Sequence, residues 1–455
     1  MLSQIASKFE HGEDFPTNTP PMLCKLLRVT ADIIDKNLPA TPKDQLRIIN
    51  SILCTLAEYL RYAERSRITQ TPWSMVQAAE RFFAAQTGPN THFIIRPQWA
   101  FNYGIVGEFV EVCRENIKML TWIPMAEWEQ AIGELANKQI YCISFPRLHR
   151  LNVLSHANWG HEVGHIVVGR WMATHFEDIW TEEEGEIKSA IDKDVRSSPP
   201  PVIELLKDVA IQRAIAQKMT LAMEVARQGI EELACDAIGV HLLGPAALAS
   251  VSGFCSRYFL DESPVERGQY PPWRYRLRLM MDACAEDLQD HPPEDGSVEG
   301  YPSTAIRAYI QSLKSLESIV ADSSDRTILS RDVITREVYR MMERRWPKIR
   351  ADIIGQLPPN SSSPYRLHSR HDQVDSLVAK LAKDLPPNEV GYWPSTAAAS
   401  LQDILNAAWA FKADREANDV NWGLSVDNHS KLFRLVLKAI ESSFVASTFG
   451  PRMKP

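Results

Sequence analysis

Apolar residues recur at intervals of three and four along most of this chain, the period of helices that bury one face. LLRVTADIIDKNL (26–38) and DQLRIINSILCTLAEYLRYAERS (44–66) carry the pattern, and PATPKD between them supplies a stop and a start. Alternation by two is rare. THFIIRPQWAFNYGIV (91–106) is rich in β-branched and aromatic residues and predicts a short strand, with a helix near GEFVEVCRENIKML (107–120). KQIYCISFP (138–146) is the best strand candidate, short, apolar and ended by proline. A helix is expected from about Asn152, a plausible N-cap, to Met172. The acidic stretch 176–202, ending in Ser and Pro, reads as a solvated excursion, and a long helix from Val202 to Leu243 is closed by Gly244-Pro245. After residue 300 the pattern is helical again, and LPPNSSSPYR (357–366) has the composition of a linker.

These elements predict a mainly α (α+β) chain. The expected organisation is a helical N-terminal region (1–135), a core with a small sheet (136–300), a helical extension (301–356), a linker (357–374) and a helical C-terminal region (375–455). There is no fixed-period repeat and no phosphate-cradling glycine loop.

Composition narrows the function classes. The 455 residues are 45% hydrophobic and 24% charged, ordinary for a globular protein, and the net charge of −7 argues against nucleic-acid binding through a basic surface. Seven scattered cysteines without a CxxC pair predict reduced thiols rather than a disulfide framework. The N-terminus lacks the pattern of a secretory signal. The most apolar run, residues 233–254, is interrupted by Asp236, His241 and a Gly-Pro pair, which argues for burial in protein rather than in lipid. The expectation is a cytoplasmic protein without membrane insertion.

The chemistry candidate is HEVGH, His161 to His165. On a helix, positions i and i+4 share a face, so the two imidazoles can meet at one point. Zinc accepts neutral imidazole readily, and a catalytic site takes three protein ligands. Glu162 follows the first histidine, where a general base would stand beside an attacking water. Chance places such a pattern in about 2 of 100 chains of this size. Here it lies among Val163, Ile166, Val167 and Val168 in an apolar helix, with Gly164 leaving room for a close neighbour.

A third ligand is needed. EELACD (231–236) puts Glu232 and Asp236 four apart on another helix of mainly apolar residues, where unpaired carboxylates are costly. The preferred assignment is Glu232 as ligand and Asp236 behind it, accepting the other ring N–H of a ligand histidine. Glu231, otherwise a solvated residue at the helix start, is the alternative ligand. Cys235 reads as a small buried residue.

HEVGH followed by Glu232-Leu-Ala-Cys-Asp236 resembles the gluzincin metallopeptidases, the thermolysin-like group and its relatives, over roughly residues 138–285. The resemblance implies a zincin-like core, one zinc ion on His161, His165 and Glu232, Glu162 as general base, and hydrolysis of a protein or peptide substrate. It also implies an edge strand, here Lys138–Phe145, that pairs with extended substrate. QYPPWRYRLRLM (269–280) is similar to a segment of the CAAX-prenyl protease group and its soluble relatives. Tyr270 stands where that group has a histidine, and with Arg274, Arg276 or Arg278 it is a candidate to steady an oxyanion. Two alternatives stay open: an inactive or regulatory zinc module whose helical flanks bind a protein partner, and a hydrolase of a non-peptide amide or ester. Retention of Glu162 speaks against a dead enzyme.

Overall fold

The computed structural model describes residues 2–10, 12–201, 206–255, 270–288, 303–320, 332–359, 363–390 and 397–449. The expected start of the second long helix (202–205), the residues just before Tyr270, the stretch 321–331 and part of the expected linker (360–362) lie outside them.

Helices α1 (Leu2–Ser7), α2 (Thr19–Asn37), α3 (Leu46–Arg65) and α4 (Trp73–Thr87) lead into β1 (Thr91–Gln98) and β2 (Gly104–Val106). Helices α5 (Phe109–Met119) and α6 (Met125–Ile132) precede β3 (Gln139–Pro146), and two 3-10 turns connect it to α7 (Trp159–Ser197). Then come α8 (Lys207–Leu243), α9 (Pro245–Phe254), α10 (Trp273–Ala283), α11 (Ala285–Leu288), α12 (Thr304–Lys314), α13 (Glu317–Val320), α14 (Val333–Ile354) and α15 (His371–Leu381). A small hairpin, β4 (Glu389–Val390) with β5 (Ala397–Ala398), precedes α16 (Leu401–Asn418), α17 (Val420–Leu424) and α18 (Val426–Phe449). The chain is mainly α with a small sheet. Among the described residues no helix is long and apolar enough to cross a membrane.

The chain forms two compact units, one of Met1–Glu162, Ala379–Ile404 and Leu424–Pro455, the other of Val163–Val378 and Leu405–Gly423. The sheet therefore groups with the N-terminal helices rather than with residues 163–300. The division falls inside α7, which runs on unbroken through it.

In the first unit, Leu23, Leu26 and Leu27 of α2, Ile49, Ile52 and Leu56 of α3, and Phe109, Cys113 and Ile117 of α5 meet Ile94, Ile140 and Cys142 of the strands. Those helical positions repeat every three or four residues, which is why the pattern predicted helices. Glu108 caps α5, accepting from the backbone N–H groups of Val110 (2.8 Å) and Glu111 (2.7 Å), and it also accepts from Ile140 (3.3 Å) of β3. One carboxylate thus starts the helix and ties it to the sheet.

The sheet order is β1-β3-β2, with β1 parallel to β3 along its length and β2 antiparallel to it over Gly104–Val106. This corrects the expected role of Lys138–Phe145. The strand is central, with β1 on one side and β2 on the other, so it offers no edge to a substrate at Cys142–Ser144. Its composition explains the position: burial on both faces favours an apolar run, the signature of an interior strand.

Helix α7 also departs from expectation. It begins at Trp159, after a 3-10 turn (Val153–Asn158), and continues to Ser197 through the acidic stretch read as a solvated excursion. The apolar spacing persists beneath the charges, since Phe176, Trp180, Ile187, Ile191 and Val195 are all buried. Glu183 is buried with them, accepting from Arg344 (2.7 Å) and Arg345 (2.6 Å) of α14. In the same unit α8 packs against α9, α10 and α14. The break at Gly244 is as expected: its φ of +61° suits glycine, and the ring of Tyr365 fills the space of a Cβ.

Candidate metal centre

Helix α7 presents His161, Glu162 and His165, and α8 presents Glu231, Glu232, Cys235 and Asp236. They cross at Gly164, where a Cβ would stand 2.8 Å from Cα of Cys235 and 3.2 Å from its carbonyl oxygen. The two backbones are in contact, and only glycine permits it. The room that the sequence left at Gly164 is taken by Cys235.

The ligand atoms of His161, His165 and Cys235 lie within 4.8 Å of one another, the grouping among the described residues suited to a metal ion. Glu232 approaches as well, its Oε1 3.9 Å from Nε2 of His165. That is too long for a hydrogen bond, and longer than the roughly 3.3–3.4 Å that separates two ligand atoms around a tetrahedral zinc. The grouped donors, His/His/Cys, suit zinc, and Glu232 stands outside that group, one turn from Cys235 on α8. Burial pushes the Cys235 thiol up to about 12, with His165 pulling the other way.

At His165 the ring partner is Glu231. Nδ1 of His165 lies 2.9 Å from Glu231 Oε1, so the carboxylate read as solvated is the one that orients this ring. Asp236 instead takes both arms of a buried arginine, Arg276 of α10, accepting from Nε at 2.7 Å and Nη2 at 2.8 Å. The third nitrogen, Nη1, is 2.9 Å from Glu232 Oε2. A planar guanidinium with three donors in a fixed fork is the side chain that can clamp two carboxylates at once. Burial disfavours the Arg276 charge, but the charge of Asp236, its hydrogen bonds and the charge of Glu232 outweigh that and hold its pKa above the ordinary arginine value. The arginine proposed for an oxyanion is thus spent on positioning Glu232, leaving Oε1 turned towards His165.

Three carboxylates, Glu231, Glu232 and Asp236, gather on the side of His165, and Arg276 holds two of them. Glu232, Asp236 and Arg276 are at most 6% exposed, and Glu162 is 5% exposed.

Tyr270 is partly exposed in the turn before α10. A different phenol has the more built surroundings. Burial, and then the charge of Glu162, hold the Tyr103 hydroxyl well above its ordinary pKa, against a hydrogen bond with Ser155. Its oxygen is 3.3 Å from Nδ1 of both His149 and His156. His156 is fully buried, stacked on Trp159 at 4.3 Å, and burial pushes it down to about 3. Its Nε2 donates over a long 3.5 Å to the carbonyl of Arg150, which leaves Nδ1 to accept from Tyr103. Sequence spacing carried no sign of Tyr103 and showed Arg276 and Cys235 in other roles, because each reaches its place through tertiary packing.

Compared with protein-family models, with curated proteins and with solved structures, the chain gives no match in any of the three.

Proposed function

We propose that this chain is a zinc-dependent hydrolase acting on the peptide bonds of a protein or peptide substrate, with a zincin-like core, a cytoplasmic setting and one zinc ion held by His161, His165 and Glu232. The observation that carries it is the convergence of His161 and His165 of α7 on the stretch of α8 that bears Cys235 and, 3.9 Å from His165, Glu232. A buried Glu162 next to His161 supports a hydrolytic rather than a purely structural site. The seven cysteines form no disulfide, in keeping with a reducing compartment.

Zinc, when bound, supplies Lewis acidity, polarising a carbonyl and bringing the pKa of water towards ~7. Glu231 fixes the ring of His165 through Nδ1 and leaves Nε2 as the ligand atom. Arg276 and Asp236 hold Glu232 so that Oε1 faces the same point. Glu162 takes a proton from the attacking water as its oxygen adds to the scissile carbonyl carbon. When the C–N bond breaks, Glu162 returns that proton to the leaving amine. Tyr103, whose proton goes to Nδ1 of His156, lies within electrostatic reach of Glu162, and Tyr270 is the candidate donor to the developing oxyanion. With β3 enclosed, extended substrate would add to the outer edge of β2.

The second reading is a regulatory metal module bound to a protein partner, in which Cys235 replaces Glu232. The nearness of the Cys235 ligand atom to both histidines favours it. Metal per chain, by elemental analysis, separates the readings. The hydrolase reading expects a full zinc ion in the parent, in Cys235→Ser and in Glu231→Ala at lower affinity, and little in Glu232→Ala. Glu162→Gln then keeps zinc and loses hydrolysis. A folded parent that takes up no divalent metal would refute both readings.

A further inference from the structure

Large apolar side chains stand in water on two loops beside Glu162. The loop from β1 to β2 exposes Trp99 (77%) and Phe101 (57%), and the turns between β3 and α7 expose Leu148 (85%) and Leu151 (56%). These loops are built rather than slack. Gln98 Nε2 donates to the carbonyl of Asn102 at 2.8 Å and closes the first, and the N–H of Asn152 donates to the carbonyl of His149 at 2.9 Å in the second. They are also laced together. The Arg147 guanidinium covers the Trp99 ring at 4.6 Å, and Phe101 meets the His149 ring edge-on at 5.0 Å. His149 in turn reaches Tyr103, which lies within electrostatic reach of Glu162. Beside Trp99 a cavity of about 260 Å³ is rimmed by Glu64, Arg65, Gln70 and Gln98. An ordered apolar cluster with a polar rim is the make-up of a binding surface.

We infer that Trp99, Phe101, Leu148 and Leu151 form an apolar clamp that seats hydrophobic side chains of an extended polypeptide next to Glu162. The inference rests on the hydrolase reading and names its substrate class. Two features select an extended chain as the occupant. The patch connects through the Phe101–His149 and His149–Tyr103 contacts to a phenol that feels the charge of Glu162, and the adjoining β2 is paired with β3 on one side only among the described strands. Preformed anchors spare the ordering cost of binding, so the clamp discriminates by side-chain polarity.

The test uses the full chain carrying Glu162→Gln, so that bound peptide is not turned over. Two fluorescein-labelled peptides of equal length serve as probes, one alternating Leu and Phe with Ser, the other alternating Asp with Ser. Fluorescence anisotropy is expected to show binding of the apolar peptide alone, weakened about 10–100-fold by Trp99→Ser with Leu148→Ser. Both side chains are mostly solvent-exposed, so the fold should survive, and Leu46→Ser, an exposed apolar residue elsewhere, is expected to leave binding unchanged. Equal binding of both peptides, undiminished binding by the double variant, or the same loss with Leu46→Ser would overturn the clamp. Mass spectrometry of the apolar peptide with the zinc-loaded parent separates this inference from the reading beneath it. Patch-dependent binding without cleavage keeps the clamp and sinks the hydrolase. Cleavage with binding unaffected by the double variant does the reverse.

Discussion

Substituting Gly164 by alanine tests the helix crossing on which the candidate metal centre depends. The added Cβ would stand 2.8 Å from Cα of Cys235, whereas carbon atoms rest at about 3.5–4.0 Å, so α7 and α8 must part by ~0.7–1.2 Å. The obstacle is backbone, which cannot rotate aside, so the cost belongs near the upper end of overpacking, ~3 kcal/mol. Alanine regains ~1 kcal/mol of helix propensity, leaving a net loss of ~2 kcal/mol. Gly169, exposed on the same helix, has nothing within 4 Å of its Cβ position. There the propensity acts alone, and Gly169→Ala should stabilise by ~0.5–1 kcal/mol. Urea unfolding in the presence of EDTA measures both. Because parting the helices carries Glu232 and Cys235 away from His165, Gly164→Ala should also loosen zinc at least ~10-fold in a competition with a chromophoric chelator. A Gly164→Ala protein as stable as the parent, with unchanged zinc affinity, would refute the crossing.

Arg276→Met takes the clamping guanidinium from Glu232 and Asp236, and should cost ~3–5 kcal/mol in urea unfolding without metal, with part of the loss restored by zinc. Equal loss with and without zinc would mean that no cation shares those carboxylates. In the cobalt-substituted parent, the hydrolase assignment expects no near-ultraviolet thiolate-to-metal band, while a band abolished by Cys235→Ser would hand the third ligand position to the cysteine. His156 titrates at about 3 when folded and near 6.5 when unfolded. Between those values the unfolded chain binds the extra proton, so stability falls as pH drops from 6.5 towards 3, by up to ~1.4 kcal/mol per pH unit. His156→Gln should flatten the pH dependence of the urea midpoint between pH 6.5 and 4, and an unchanged slope would exclude this source.

How much of this was legible follows from what each feature needs. The histidine pair, Glu162 and the central strand are local: a period of 3.6 or a short apolar run specifies them. Gly164 was legible too, as a space awaiting a neighbour. The length of α7 was not, because charges dense enough to suggest a loop hid the apolar positions from Phe176 to Val195. Neither was the division of labour among Glu231, Glu232 and Asp236. Helical spacing shows which carboxylates share a face, but it does not place Arg276, and that side chain decides which carboxylate is engaged and which oxygen stays available. The edge assignment of the strand failed for a related reason, since its second neighbour, β1, precedes it by some forty residues.

The N-terminal unit is assembled from three separate pieces of chain, and α18 packs on α4. Arg81 of α4 donates to the Thr448 hydroxyl at 2.9 Å, and Ser443 of α18 donates to the carbonyls of Asn388 and Ala399. On the ribosome this sets an order of events. The first turn of α7, with His161 and Glu162, belongs to a body that stays incomplete until α18 has emerged, and the roughly 290 residues between take ~15–60 s to make at ordinary rates of synthesis. The first turn of α7 would thus remain without its finished surroundings until α18 had been translated.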